Sequence, residues 1–142
     1  MQKLHFSIDI KAPREKVWKV LWEDATFGDW TSVFAEGSYA VSDWKEGSKI
    51  QFLDPKSGGG MSSVIERKIP NEFMSFRHIT EIKDGKEQPP KEWSSALEEY
   101  ALKDNNGMTT LTVELDAMDE YKEMFEDQFP KALAKVKELA EK

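Results

Sequence analysis

Period-two alternation opens the chain. Leu4, Phe6, Ile8 and Ile10 share one face and His5, Ser7 and Asp9 the other, which predicts a half-buried strand. Lys11-Ala12-Pro13 ends it, and Pro13 suits the first turn of a helix, where its missing N–H leaves no bond unmade. From Arg14 to Trp22 the pattern turns helical, with Val17, Trp18, Val20, Leu21 and Trp22 forming a wide apolar stripe. Gly28 interrupts the next stretch, so Asp24 to Ser32 reads as a second short helix or an irregular turn.

Between Gly37 and Asp116 turn signals recur at regular intervals: Lys45-Glu46-Gly47, Ser57-Gly58-Gly59-Gly60, Pro70-Asn71, Asp84-Gly85 and Asn105-Asn106-Gly107. Asp-Gly and Asn-Gly supply the positive φ of tight hairpin turns, so the intervening runs predict antiparallel strands over Ser38–Trp44, Ser48–Asp54, Met61–Ile69, Phe73–Lys83, Glu92–Lys103 and Met108–Asp116. Gln88-Pro89-Pro90 cannot continue a ladder and marks a longer loop. From Asp119 to Lys142 the period is helical again, with Tyr121, Phe125, Ala132, Val136 and Leu139 on one stripe and Met124, Phe129 and Leu133 beside it. Pro130 interrupts this pattern and is expected to kink or restart the helix, since a straight passage costs about 3 kcal/mol. One strand, two short helices, six antiparallel strands and a long amphipathic helix make an α+β chain. The helix must lay its apolar stripe on the apolar face of a seven-stranded sheet, and a twisted sheet curving around a helix leaves room for a cavity.

Composition narrows the functional classes. The 142 residues fit one domain, 1–142. Only 31 of them are Leu, Ile, Val or Phe, close to the level of about 20% below which disorder sets in, and five Trp and eight Phe supply much of the burial a core needs. A net charge of −7 argues against a nucleic-acid binder, which needs a basic face to displace counterions. With no Cys, thiol nucleophiles, disulfides and thiolate metal sites are excluded, and two His cannot make a three-histidine site. No apolar run approaches a membrane span, and nothing at the start reads as a secretory signal, so a soluble, cytoplasmic protein is expected.

Several short motifs resemble a known family. Ala12-Pro13-Arg14-Glu15-Lys16-Val17-Trp18, after an alternating strand, is similar to the opening of the SRPBCC superfamily, which has the helix-grip fold of birch-pollen allergens and START domains. Phe34 with Gly37, Trp44 with Gly47, Gly60, Pro70-Asn71 and Thr109-Thr110-Leu111-Thr112 resemble its activator of heat-shock protein 90 ATPase homologue-like branch. So does Phe129-Pro130-Lys131-Ala132-Leu133 followed by Val136-Lys137-Glu138, although that branch often has Trp where this chain has Phe129. The resemblance spans essentially the whole chain. It implies a curved seven-stranded sheet around the long C-terminal helix, with a pocket between them. It implies no single chemistry, because the superfamily includes lipid carriers, hormone receptors, cyclases and co-chaperone modules.

Candidate site residues come from that architecture. Trp30, Phe34, Phe52, Trp93, Tyr100, Tyr121, Phe125 and Phe129 lie on elements that would surround the pocket, and about half are expected to be ordinary core. Trp18 and Trp22 are assigned to packing of the fold, while Met61, Met118 and Met124 offer adaptable surface to a permissive pocket. His78 alternates with Met74, Phe76, Thr80 and Ile82 and faces inward if they do. It is then a candidate acid or base, or else a hydrogen-bonded core or rim histidine, the reading favoured while no partner is identifiable. Glu98 faces the cavity if Tyr100 and Leu102 do, paired with Arg77 or His78; otherwise it is a carboxylate near the sheet edge. Gly58-Gly59-Gly60 is a hairpin tip and no phosphate loop, because a strand succeeds it. The acidic cluster Glu114, Asp116, Asp119 and Glu120 lacks calcium-loop spacing, so neither metal nor cofactor is assigned. The expected function is binding of a small, partly apolar ligand. The alternatives are a co-chaperone module contacting a heat-shock ATPase, and a cyclase- or hydrolase-like enzyme using His78; monomer and dimer both stay open.

Overall fold

A computed structural model describes residues 2–91 and 94–142. The opening alternation forms β1 (Gln2–Ile10), succeeded by α1 (Arg14–Trp22) and α2 (Asp24–Thr31). Pro13 stands just before α1 as its cap, where its carbonyl accepts from the Lys16 and Val17 amides. Then come β2 (Tyr39–Val41), β3 (Lys49–Asp54), β4 (Gly59–Ile69), β5 (Phe73–Lys83), β6 (Lys86–Glu87), β7 (Leu97–Asn105) and β8 (Met108–Ala117). A 3₁₀ turn, Asp119–Tyr121, leads into α3 (Lys122–Ala140). The sheet is antiparallel, in the order β1-β8-β7-β5-β4-β3-β2.

Among the described residues the sheet has eight strands where seven are expected. The extra one is β6, which pairs with the end of β5 across the Asp84-Gly85 turn, where both residues have positive φ. The expected strand Glu92–Lys103 begins later, at Leu97, because Ser94 and Ser95 form a turn; its first two residues lie outside the described residues. The helix does not restart at Pro130: α3 runs continuously through it.

The core lies between one sheet face and the helices. Leu111, Val113 and Leu115 on β8 are buried at every second position, against Phe129, Ala132, Leu133, Val136 and Ala140 on α3 and Val17, Val20 and Leu21 on α1. Phe6 stacks on Phe129 with ring centres 5.0 Å apart, tying β1 to α3. This open sheet gripping its C-terminal helix is the helix-grip arrangement.

An irregularity in the β4–β5 ladder decides what faces inward. Ser63 pairs with His78 but Ser62 pairs with Thr80, so Ile79 is an extra residue on β5. Upstream of it, Met74, Phe76 and His78 share the core face. Downstream the parity reverses. Glu81, opposite Met61, turns to the core side, while Thr80 and Ile82 turn away, opposite Ser62 and Gly60. The expectation that Thr80 and Ile82 accompany His78 inward is therefore corrected.

Candidate functional site

Two adjoining cavities separate the sheet from the first half of α3. One, of about 320 Å³, has walls from α2, β3, β5, β7 and α3; the other, of about 380 Å³, lies toward β8 and the 3₁₀ turn. They share Phe52, Met61, Glu98, Met124 and Phe125.

The candidate aromatics distribute unevenly around them. Trp30, Phe34, Phe52, Tyr100, Phe125 and Phe129 line the first cavity, and Tyr121, 45% exposed, stands at the second. Trp93 lies outside the described residues. Trp30, Tyr100 and Phe129 are also core residues, each no more than 3% exposed, so wall and core are here the same side chains. Trp30 spends its indole N–H on the Leu21 carbonyl at 3.1 Å.

Trp22 packs the core as the sequence pattern indicates, and it also stands in the first cavity's wall. It packs edge-on against Tyr100 and Phe76, with ring centres 5.0 and 5.3 Å away, and against Trp30 at 6.4 Å. Its Nε1 is buried with no hydrogen-bond partner among the described residues. Phe27 and Phe76 complete the wall.

The polar centre is a chain of four side chains. Ser63 Oγ lies 2.6 Å from His78 Nδ1, His78 Nε2 lies 3.0 Å from Glu98 Oε1, and the Tyr100 hydroxyl donates to Glu98 Oε2 at 2.5 Å. The ladder builds this chain: Ser63 pairs with His78 across β4 and β5, and Glu98 and Tyr100 stand two apart on one face of β7. The backbone of His78 is held as well, its N–H donating to Ala96 O and its C=O accepting from Ser95.

The charges are set by this geometry. Burial works against the ionised form of Glu98, yet the hydrogen bond and charge of His78 and the Tyr100 hydroxyl outweigh it and hold its carboxyl below the usual glutamate range. Burial, and after it the Glu98 charge and hydrogen bond, pushes Tyr100 well above the usual phenol range. An ionised carboxylate only accepts, so Nε2 carries the proton facing Glu98. Arg77, the other partner considered for Glu98, instead donates to Glu66 at 2.8 Å.

Ser63, His78 and Glu98 have the order of a nucleophilic triad but not its access. Ser63 is fully buried and lines neither cavity, so its hydroxyl positions the imidazole and meets no substrate. The sequence offers no sign of Ser63, whose role depends on the register. His5 is exposed beside Glu114, 3.2 Å away. Among the described residues no three His, Asp or Glu side chains cluster as metal ligands, and no helix is long and apolar enough to cross a membrane.

Comparison with known proteins agrees with this architecture. Residues 11–141 match the family described as Activator of Hsp90 ATPase homolog 1-like protein, and the chain belongs to that family. No curated protein matches it by sequence. Among solved structures it is similar to the Aha1 dimer from Colwellia psychrerythraea, with TM-score 0.78 and 19% identity over 99% of this chain and 97% of that one. CalU16 from Micromonospora echinospora gives 0.69 and 16%, over 97% of this chain and 75% of that one. DynU16, a protein of the dynemicin biosynthetic locus, gives 0.72 and 12% over 97% of this chain, which spans only 46% of DynU16. At these identities the likeness is one of fold.

Proposed function

We propose that this member of the family binds a small, partly apolar molecule in the paired cavities, with the His78–Glu98 pair fixing its polar end. One observation carries the reading: a hydrogen-bonded imidazole–carboxylate pair stands where two aromatic-walled cavities meet. Met61, Met118 and Met124 add flexible surface to the walls, suited to ligands of varied shape. A cytoplasmic location belongs to the same reading.

Binding is favoured over catalysis for a physical reason. Both nitrogens of His78 are engaged, and Glu98 is held too acidic to take up protons readily near neutrality. A cyclase-like reaction would need the pair to open first. The co-chaperone reading draws on the family's description and on the Aha1 likeness alone.

Fluorescence of phenylnaphthylamine, a neutral apolar dye, tests the proposal. The dye brightens on entering an apolar cavity, and Met61→Trp, which fills the junction of the two, is expected to abolish the signal while leaving the unfolding midpoint near its original value. No brightening with the unaltered chain would overturn the reading.

A further inference from the structure

The polarity of the cavity walls is one-sided. Every charged wall residue other than His78 is acidic: Asp54 in the first cavity, Glu81 and Asp116 in the second, and Glu98 in both. Neither Lys nor Arg lines either cavity among the described residues. Counter-charges lie behind the rim instead. Glu81 pairs with Lys83 and Lys91 at 3.4 and 3.2 Å, and Asp116 with Lys3 at 3.4 Å.

Around Glu98 the hydrogen-bonding capacity leans toward acceptors. A carboxylate offers about four acceptor positions, and at Glu98 two are filled, by His78 and Tyr100. With 22% of its side chain exposed, Glu98 keeps free acceptor capacity and has no proton to give. Two aliphatic hydroxyls in the first cavity's wall are turned the same way. Thr31 donates to the Phe27 carbonyl and Ser38 to that of Ala35, so each presents only oxygen lone pairs to a ligand. Donors stand elsewhere in the walls, at the unpartnered Trp22 indole N–H, the Tyr39 and Tyr121 hydroxyls and the Gln128 amide, away from the Glu98 carboxylate. Trp22, Phe52, Phe76 and Phe125 also line the first cavity, and aromatic ring faces attract cations.

Building on the proposed cavity function, we infer that the ligand carries a hydrogen-bond-donating, cationic head on an aromatic or alicyclic body, a primary or secondary amine seated against Glu98. A carboxylate or phosphate ligand would meet the Glu98, Asp54, Glu81 and Asp116 carboxylates with no Lys or Arg in the wall to answer it. The His78–Glu98 pair thus selects against the acidic lipids that an apolar cavity would otherwise admit.

Three compounds sharing one apolar body isolate the head: naphthylethylamine, naphthylethanol and naphthylacetate, each displacing phenylnaphthylamine from the unaltered chain at neutral pH. The amine is expected to displace the dye at concentrations at least about tenfold below the acid, with the alcohol between them. Glu98→Gln, which keeps the shape and removes the charge, should narrow the amine–acid gap to within about threefold. If the dye binds and the acid competes as well as the amine, the charge inference is overturned and the cavity reading survives. If the dye itself fails to bind, the cavity reading falls first. Should Glu98→Gln fail to fold, the order among the three heads in the unaltered chain decides alone.

Discussion

Tyr100 and Glu98, two positions apart on one face of β7, are joined by a hydrogen bond from the phenol to Oε2 at 2.5 Å. The ring of Tyr100 is 2% exposed, so its hydroxyl has no water to fall back on. Tyr100→Phe keeps the packing and removes one of the two donors that hold Glu98 ionised. The expected loss is about 1–2 kcal/mol in unfolding free energy, read from urea titration at neutral pH. An unchanged urea midpoint would show that the bond contributes nothing to the fold.

Ser63 supports the other end of the chain. Ser63 is fully buried, and Ser63→Ala leaves His78 Nδ1 without its partner while truncating too little to open a cavity. About 1–2 kcal/mol of stability should be lost. The imidazole, freed on one side, should also exchange between orientations, visible as broadened ring signals in NMR spectra. Sharp, unshifted imidazole signals would mean that the hydroxyl does not orient the ring.

Glu98 sets a pH dependence whose sign is determined. Its folded carboxyl titrates below the ordinary value of 4.5, with burial opposing and His78 and Tyr100 prevailing. Its contribution to stability is therefore complete above that unfolded-state value and disappears as pH falls through the folded one. Compared by urea unfolding, the unaltered chain and Glu98→Gln should differ most at neutral pH and converge in acid. A gap that widened as pH fell would reverse the sign and imply a raised carboxyl.

The elements are largely legible in the sequence, and the site only partly so. Alternation and turn chemistry are local, so α1 and β5 occur over the residues expected, Arg14–Trp22 and Phe73–Lys83. His78 and Glu98 both surface as inward candidates, but their pairing depends on which strands are neighbours and in what register. The extra residue at Ile79 reverses the parity of β5 without any Gly or Pro to announce it. Ser63 is invisible for the same reason, being an ordinary strand serine until its partner is known. Trp22 is core as its helix stripe indicates, but its second place in the cavity wall is not legible, because a stripe reads as core whether or not a cavity adjoins it.

Pro130 is a strain that α3 carries. The helix continues through it from Lys122 to Ala140, so the bond its missing N–H would have made to Glu126 is lost. Pro130 is exposed. Pro130→Ala restores the donor at the expense of a looser unfolded chain, for an expected net gain of about 1–2 kcal/mol. A higher thermal midpoint checks this; a lower one would mean that the proline stiffens the unfolded chain by more than it disturbs the helix.

Gly60 has the strictest steric requirement in the cavity wall. It pairs with Leu53 across β3 and β4, and a Cβ built on it would lie 2.0 Å from the Phe52 carbonyl oxygen and 3.1 Å from the Leu53 Cα. Both are backbone atoms, so no side-chain rotation relieves the contact, and the hairpin itself must move. Phe52 and Met61, two of the wall residues shared by both cavities, stand next to this point on the two strands. Gly60→Ala should therefore cost about 3 kcal/mol and weaken phenylnaphthylamine binding together with stability. Gly85→Ala is the control: its added Cβ meets nothing within 4 Å, and it strains only a surface turn with a φ of 76°. It should lower stability while leaving the dye's affinity for the folded chain unchanged. If both variants weakened the dye equally, the loss would come from general destabilisation, and the close approach at Gly60 would have no part in shaping the cavity.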